Sequence, residues 1–194
     1  MGRDRDPFER TIDALRQRLI AAGPQQGAPL PINLLAVELG VSQTPVREAL
    51  AWLAGESLIG RSRNGYVGAT YDAEELSQSY ELALLLVLAA FRRQPATSAP
   101  DDCRLANDIL THVTGHGGNV ALTKALARTL AELAPLAMAE AAVCGEAADD
   151  AARLRVALSE GGAPFVRAVR RHYLRRIERS GDILAHGLLR RPRI

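Results

Sequence analysis

Apolar positions fall at helical spacing along most of the chain, and the phase of that spacing breaks in ways that mark turns. Phe8, Ile12, Leu15 and Leu19 form one stripe after Asp6-Pro7, an N-cap followed by a first-turn proline, and predict a helix to about Ala22. The turn-rich stretch from Gly23 to Pro29 ends it. Two short helices follow. The first takes Leu34, Leu35 and Leu39 as its apolar set and stops at Gly40, a residue suited to the left-handed C′ position. The second starts after Ser42, a good N-cap, and tolerates Pro45 in its first turn. Its Val46, Ala49, Leu50 and Leu53 face inward, which leaves Gln43, Thr44 and Arg47 together on the opposite face.

Period-two strands then replace helices. Leu58–Arg61 and Tyr66–Ala69 flank Asn64-Gly65, a pair that accepts the positive φ of a type I′ turn, so a hairpin is expected with Arg61, Arg63 and the Asn-Gly tip at its exposed end. Three helices and a hairpin make a winged helix, and Gln, Thr and Arg on the first turns of its third helix have the form of a recognition helix. The competing reading of the same residues is an ordinary helical hairpin with solvated charges.

Beyond Tyr71 every element reads as helix. Asp72 caps a helix to about Arg93 that is apolar on all sides from Leu82 to Phe91, so it must be central or must also form a subunit interface. A loop, 94–100, precedes a helix from Asp101 or Asp102 to Thr114, which the glycines around His116 should close. A long helix from Val120 to Cys144 should be kinked or divided at Pro135. Two more follow, over 147–158 and from 161–164 to about Ser180, with a tail that loosens at its end. The fold class is mainly α: a winged helix-turn-helix over 7–71 and an all-helical domain over 72–190.

Composition adds little to this and excludes several classes. The 194 residues carry a net charge of +2, so bulk charge does not announce a nucleic-acid binder. Charge is uneven, however, and the stretch from Arg167 onward is strongly basic. Its cluster of Arg167, Arg170, Arg171, Arg175, Arg176 and Arg179 is either a solvated face, a partner for acidic residues of the middle segment, or an attractor of phosphate. Cys103 and Cys144 lack metal-ligand spacing and suggest free thiols in a reducing compartment. The N-terminus lacks a signal-peptide core and no apolar run is long enough to span a bilayer, so a cytoplasmic protein is expected. No nucleophile–base pair, phosphate loop or metal cluster is apparent, so neither an enzyme nor a cofactor is expected.

From Val41 to Leu50 (Val-Ser-Gln-Thr-Pro-Val-Arg-Glu-Ala-Leu), with the Leu-Ala-x-x-Leu-Gly helix before it and the Leu-Ile and Arg-x-x-x-Gly wing after it, the chain resembles the GntR family of bacterial transcription factors. The helical domain is similar to the FadR branch in its order and in Tyr80-Glu81-Leu82, Gly118-Asn119 and His172. The resemblance implies a homodimer on a palindromic double-stranded DNA operator, acting as a repressor released by a small-molecule effector. The alternative is a ligand-independent protein whose second domain serves dimerisation or partner binding. By position, Ser42 and Thr44 look like phosphate contacts, Arg47 like the base reader and Gly65 like the wing-tip glycine, with Arg61, Arg63 and Asn64 beside it. Gln43 replaces the family's usual arginine and implies an altered operator. An effector pocket would involve Leu110, Asn119 and His172. The branch's metal ligands are replaced by Ala106 and Leu110, no histidine lies near Ala151, and Ala83 stands where an arginine is usual, so neither a family-type metal site nor the usual carboxylate pocket is expected. The domain also looks one helix short between Phe91 and Asp101. His112 and His116 are four apart and could share a metal, but the glycines at 115, 117 and 118 imply that the helix has ended by then, so two loop histidines are expected instead.

Overall fold

The structure, a computed structural model, describes residues 7–145 and 147–189. It divides into two compact units, one running to Tyr71 and also taking in the chain from Gly187, the other spanning Asp72–His186.

In the first unit, helices α1 (Pro7–Ala22), α2 (Ile32–Leu39) and α3 (Gln43–Gly55) precede strands β1 (Ile59–Ser62) and β2 (Gly65–Gly68). The α1 stripe is buried at Ile12, Leu15 and Leu19, and Val46, Ala49, Leu50 and Leu53 of α3 are wholly inaccessible. The apolar set of α2 differs from the expected one. Leu35 and Ala36 are buried whereas Leu34 is half exposed, because this short helix buries a single side and the phase of that side falls on Leu35, Ala36 and, partly, Leu39.

The hairpin forms with Arg61 opposite Tyr66 and Ser62 opposite Gly65, so the turn residues are Arg63 and Asn64. The expected type I′ turn is not made. Asn64 keeps a negative φ, and the positive value, 132°, falls on Gly65 instead. The Ser62 hydroxyl accounts for the shift, since it accepts the Asn64 N–H at 3.3 Å and holds the turn in the ordinary hand. A rung that periodicity does not reveal joins the hairpin. The segment 27–30 pairs along β2 through Gly27 N to Gly68 O, Gly68 N to Ala28 O and Leu30 N to Tyr66 O. Gln26 clasps the exit of β2, accepting the Tyr71 N–H and donating to the Tyr71 carbonyl. The fit is close enough that a Cβ on Gly68 would sit 2.1 Å from Cβ of Gln25.

The second unit is built around α4 (Ala73–Arg93), which packs against α5 (Ala106–His116), α6 (Val120–Leu133) and α9 (Gly162–Glu178). Asp72 caps α4 as expected, accepting the Glu75 N–H at 2.8 Å. The stretch Leu82–Phe91 is not buried on every face: Leu82, Leu85 and Ala89 form an uncovered stripe while Ala83, Val87 and Ala90 are inaccessible. Helix α5 begins later than expected, at Ala106, where the Asp108 carboxylate accepts the Leu105 N–H. The preceding loop needs no helix because the Arg155 guanidinium donates to the carbonyls of Ala99, Pro100 and Cys103. Pro135 divides the long helix as expected, placing a 3-10 turn (Ala134–Leu136) between α6 and α7 (Ala137–Cys144). Then come α8 (Ala147–Glu160), α9 and α10 (Ser180–Leu189). The region after Ser180 is therefore helical to Leu189 rather than a tail, and the end expected to loosen lies outside the described residues. Cys103 and Cys144 are free thiols. Among the described residues no helix is long and apolar enough to cross a membrane.

Candidate nucleic-acid interface and buried charges

Gly40 ends α2 in the left-handed conformation, φ 63°, and the Gly40 and Val41 N–H groups bond back to Val37 and Ala36. That reversal aims the start of α3 outward. Ser42 occupies the N-cap position with extended backbone, but its side chain makes no cap bond, contrary to expectation. One of the two usual donors is missing. An N-cap hydroxyl ordinarily takes the N–H of the second or third helical residue, and the third here is Pro45, which has none. The Ser42 hydroxyl and the first N–H groups of α3 are thereby left for an external acceptor or donor.

Ser42, Gln43, Thr44 and Arg47 are all exposed. Among the described residues Arg47 has no hydrogen-bond or salt-bridge partner. Glu48 shares this outward face and is equally exposed. Sequence reading passed over it, although its position one residue after Arg47 and four after Thr44 was signal enough. In the wing, Arg61 lies over the ring of its cross-strand neighbour Tyr66, 5.8 Å from the centroid. Arg61, Arg63 and Asn64 are exposed at its end. The structure thus carries all eight expected contact residues on α3, its N-cap and the wing.

The second unit presents a buried charged network. Arg176, 4% exposed, donates Nε–H to Glu140 Oε2 at 2.9 Å and Nη1–H to the His172 carbonyl at 3.0 Å, with Asp150 Oδ2 at 3.2 Å. Tyr80 donates its hydroxyl to Glu140 Oε1 at 2.8 Å. His172 Nδ1 lies 2.9 Å from Asp150 Oδ2 and 3.1 Å from Arg176 Nη1; because an ionised carboxylate only accepts, the shorter contact places the ring proton on Nδ1, and the guanidinium then lies alongside without donating to that nitrogen. Arg153 closes the outer side, 2.6 Å from Asp150 Oδ1. Burial works against the charge on Asp150, but the hydrogen bonds from His172 and Arg153, with the Arg176 charge, hold its carboxyl well below the usual range. Burial pushes His172 below its ordinary 6.5, and the adjacent Arg176 adds to this against the opposing pull of Asp150. Burial likewise raises the phenols of Tyr80 and Tyr173, which stay protonated.

The basic cluster is therefore not one solvated face. Arg176 pairs with acidic residues of the middle segment, and Arg175 and Arg179 donate to the last carbonyls of α7, at Cys144 and Val143. Arg167, Arg170 and Arg171 remain exposed.

Beside the network lies a cavity of about 90 Å³, with Leu130, Leu133 and Ala134 on its apolar side and Glu140, His172, Tyr173 and Arg176 on its polar side. Of the three residues expected to line a pocket, only His172 does so. Leu110 is fully packed into the core, and Asn119 caps α6, its Oδ1 accepting from Ala121 N and Leu122 N. His112 and His116 are corrected from loop to helix, since α5 runs through Gly115 and stacks their rings 6.4 Å apart. Among the described residues no group of three or more His, Cys, Asp or Glu side chains could hold a metal ion.

A pH dependence follows from the neutral His172. Below pH 6.5 the unfolded chain takes up a proton on this ring that the folded one resists, so the folded state loses stability as pH falls, by at most about 1.4 kcal/mol per pH unit. Melting curves between pH 7 and pH 5 should show this slope, and His172→Asn, whose amide can still donate to Asp150, should flatten it. An unaltered slope in the variant would assign the acid sensitivity elsewhere.

The first unit is a winged helix-turn-helix domain, followed by an all-helical unit. Residues 7–67 match the model of the bacterial regulatory proteins of the gntR family, so the chain carries a helix-turn-helix domain of that family at its N-terminus. Over 79 residues it is 37% identical to the gluconate operon transcriptional repressors of Bacillus subtilis (strain 168) and Bacillus licheniformis, covering 41% of this chain and 32% of each of theirs. The match thus spans about a third of the length of these curated relatives. Among solved structures, Escherichia coli McbR/YncC aligns with a TM-score of 0.62 at 18% identity, over 93% of this chain and 98% of that one. A protein described as a GntR transcriptional regulator from Rhodococcus sp. RHA1 aligns with a TM-score of 0.64 at 18% identity, over 92% and 97%. At such identity these two likenesses concern the fold.

Proposed function

We propose that the protein is a sequence-specific DNA-binding transcriptional regulator, a repressor, acting in the cytoplasm as a homodimer on a two-fold symmetric operator, and that it performs no catalysis. The observation that carries this reading is the outward face of α3, where Gln43, Thr44 and Arg47 stand exposed at the start of a helix whose other face is fully buried. Ser42 and Thr44 take phosphate, Arg47 reads guanine through its paired donors, and Gln43 suits adenine. Arg61, Arg63, Asn64 and Gly65 bring the wing to the backbone or minor groove. The curated relatives, repressors by name, match over 79 residues of the chain.

Residues 72–190 serve dimerisation and the sensing of a small-molecule effector. The uncovered Leu82–Leu85–Ala89 stripe of α4 supports the first role and the cavity beside Arg176 the second. A gel shift at physiological salt tests the DNA reading, with the protein's own upstream region against a scrambled duplex of equal composition. Preferential retardation of the upstream DNA is expected, and equal affinity for both would sink operator specificity.

A further inference from the structure

The uncovered leucines of α4 belong to a longer series. Glu75, Gln78, Leu82, Leu85, Ala89 and Arg92 follow one another at alternating intervals of three and four residues, the spacing by which one helix presents a seam to another. Every one of them is exposed, Leu82 by 47% and Leu85 by 57%. The opposite side of α4, at Leu76, Tyr80, Ala83, Val87 and Ala90, is buried in the unit's own core. Core and seam are therefore separate faces of one helix.

The seam is acidic at its start, apolar in its middle and basic at its end, which makes it complementary to itself when reversed. Turning a copy about a two-fold axis at the level of Ala83 and Leu84 sets Leu82 against Leu85, Gln78 against Ala89 and Glu75 against Arg92. The same rotation sets Glu74 against Arg93 beside the seam. Two copies running in the same direction would instead face Glu75 with Glu75 and Arg92 with Arg92. The helix dipole accounts for acids in the first turn and bases in the last. It does not account for their sharing the one stripe on which the leucines are exposed.

We propose that α4 of a second copy of this chain packs antiparallel on this seam, its leucines closing the centre and its Glu75 and Arg92 fixing direction and register. The pairing is isologous, so each contact is made twice. It rests on the homodimer reading and names the face and the direction that reading leaves open.

Sedimentation of the full chain over a concentration series tests it. The parent should form a dimer. Leu85→Glu keeps a helix-forming residue at an exposed position but puts a carboxylate into the seam twice, and should raise the dimer dissociation constant at least roughly hundredfold. Glu75→Arg and Arg92→Glu should each raise it roughly tenfold, and the double variant should return it towards the parent value. That return separates pairing from folding, because both changes oppose the helix dipole and a purely structural effect would add in the double variant. If circular dichroism shows that Leu85→Glu does not fold, the charge reversals carry the test. A dimer unmoved by Leu85→Glu, or reversals that do not cancel, would overturn this inference and leave the homodimer reading standing. A parent that is monomeric at every concentration would overturn both, and the gel shift would still test DNA binding by itself.

Discussion

Replacing Arg47 by alanine should remove most of the operator preference proposed for the chain while leaving the fold untouched. The side chain is exposed and, among the described residues, unpaired, whereas Val46, Ala49, Leu50 and Leu53 hold α3 in place from the other side. Its loss should therefore shift stability by no more than about 0.5 kcal/mol. A bidentate arginine–guanine contact contributes roughly 1–3 kcal/mol of discrimination, or about 5- to 150-fold in relative affinity per half-site. Scrambled DNA should be bound nearly as before, because a base-reading contact carries little of the nonspecific affinity. Arg61→Ala should behave differently, weakening specific and scrambled duplexes alike and lowering the salt slope by about one. Competition titrations at two salt concentrations separate the two patterns. An Arg47→Ala protein that keeps its operator-to-scrambled ratio would remove Arg47 from base reading.

The largest effect on stability belongs to Arg176. Arg176→Met keeps much of the volume but leaves the Glu140 carboxylate without its cation inside the second unit and Asp150 with Arg153 as its remaining one. Breaking a buried pair from one side costs about 3–5 kcal/mol. For a chain of this size that is a fall in melting temperature of roughly 6–20 °C. Adding Glu140→Gln should recover part of the loss, because the amide can still accept from Tyr80 without a buried charge. Thermal melts of the parent, the two single variants and the double variant form the cycle. A fall of less than about 1 kcal/mol for Arg176→Met would mean that the network relaxes to water.

How far the sequence could be read depended on how local each signal was. The recognition helix was legible because its apolar spacing, Gly40 and Pro45 lie within a few residues of one another. The same closeness misleads at Ser42, a good cap residue that makes no cap bond because Thr44 alone, and not Pro45, has an N–H to offer it and the hydroxyl does not take it. Asn64-Gly65 was read as a type I′ turn on its own merits, but Ser62 changes its hand. The third rung of the wing depends on Gln25 and Gln26 meeting residues some forty positions away, which no local pattern encodes.

The charged core of the second unit was only half legible. Phe165, Val169, His172 and Arg176 continue one buried stripe, so a histidine and an arginine stand where apolar residues would be expected. That departure could have been noticed. Their partners Glu140 and Asp150 come from other helices, and the tertiary fold alone brings them together. The start of α5 was misplaced for a similar reason: Asp101 and Asp102 look like caps, yet Arg155 holds that loop open from α8.

The central claim is that the exposed face of α3 reads DNA sequence as one half of a symmetric pair. In vitro selection from a pool of randomised duplexes, bound by the full chain at physiological salt, tests it most directly. The proposal predicts enrichment of an inverted repeat whose half-sites lie about one helical turn apart, or a multiple of it, with guanine at the position lost by Arg47→Ala. A pool that stays random through successive rounds would contradict it.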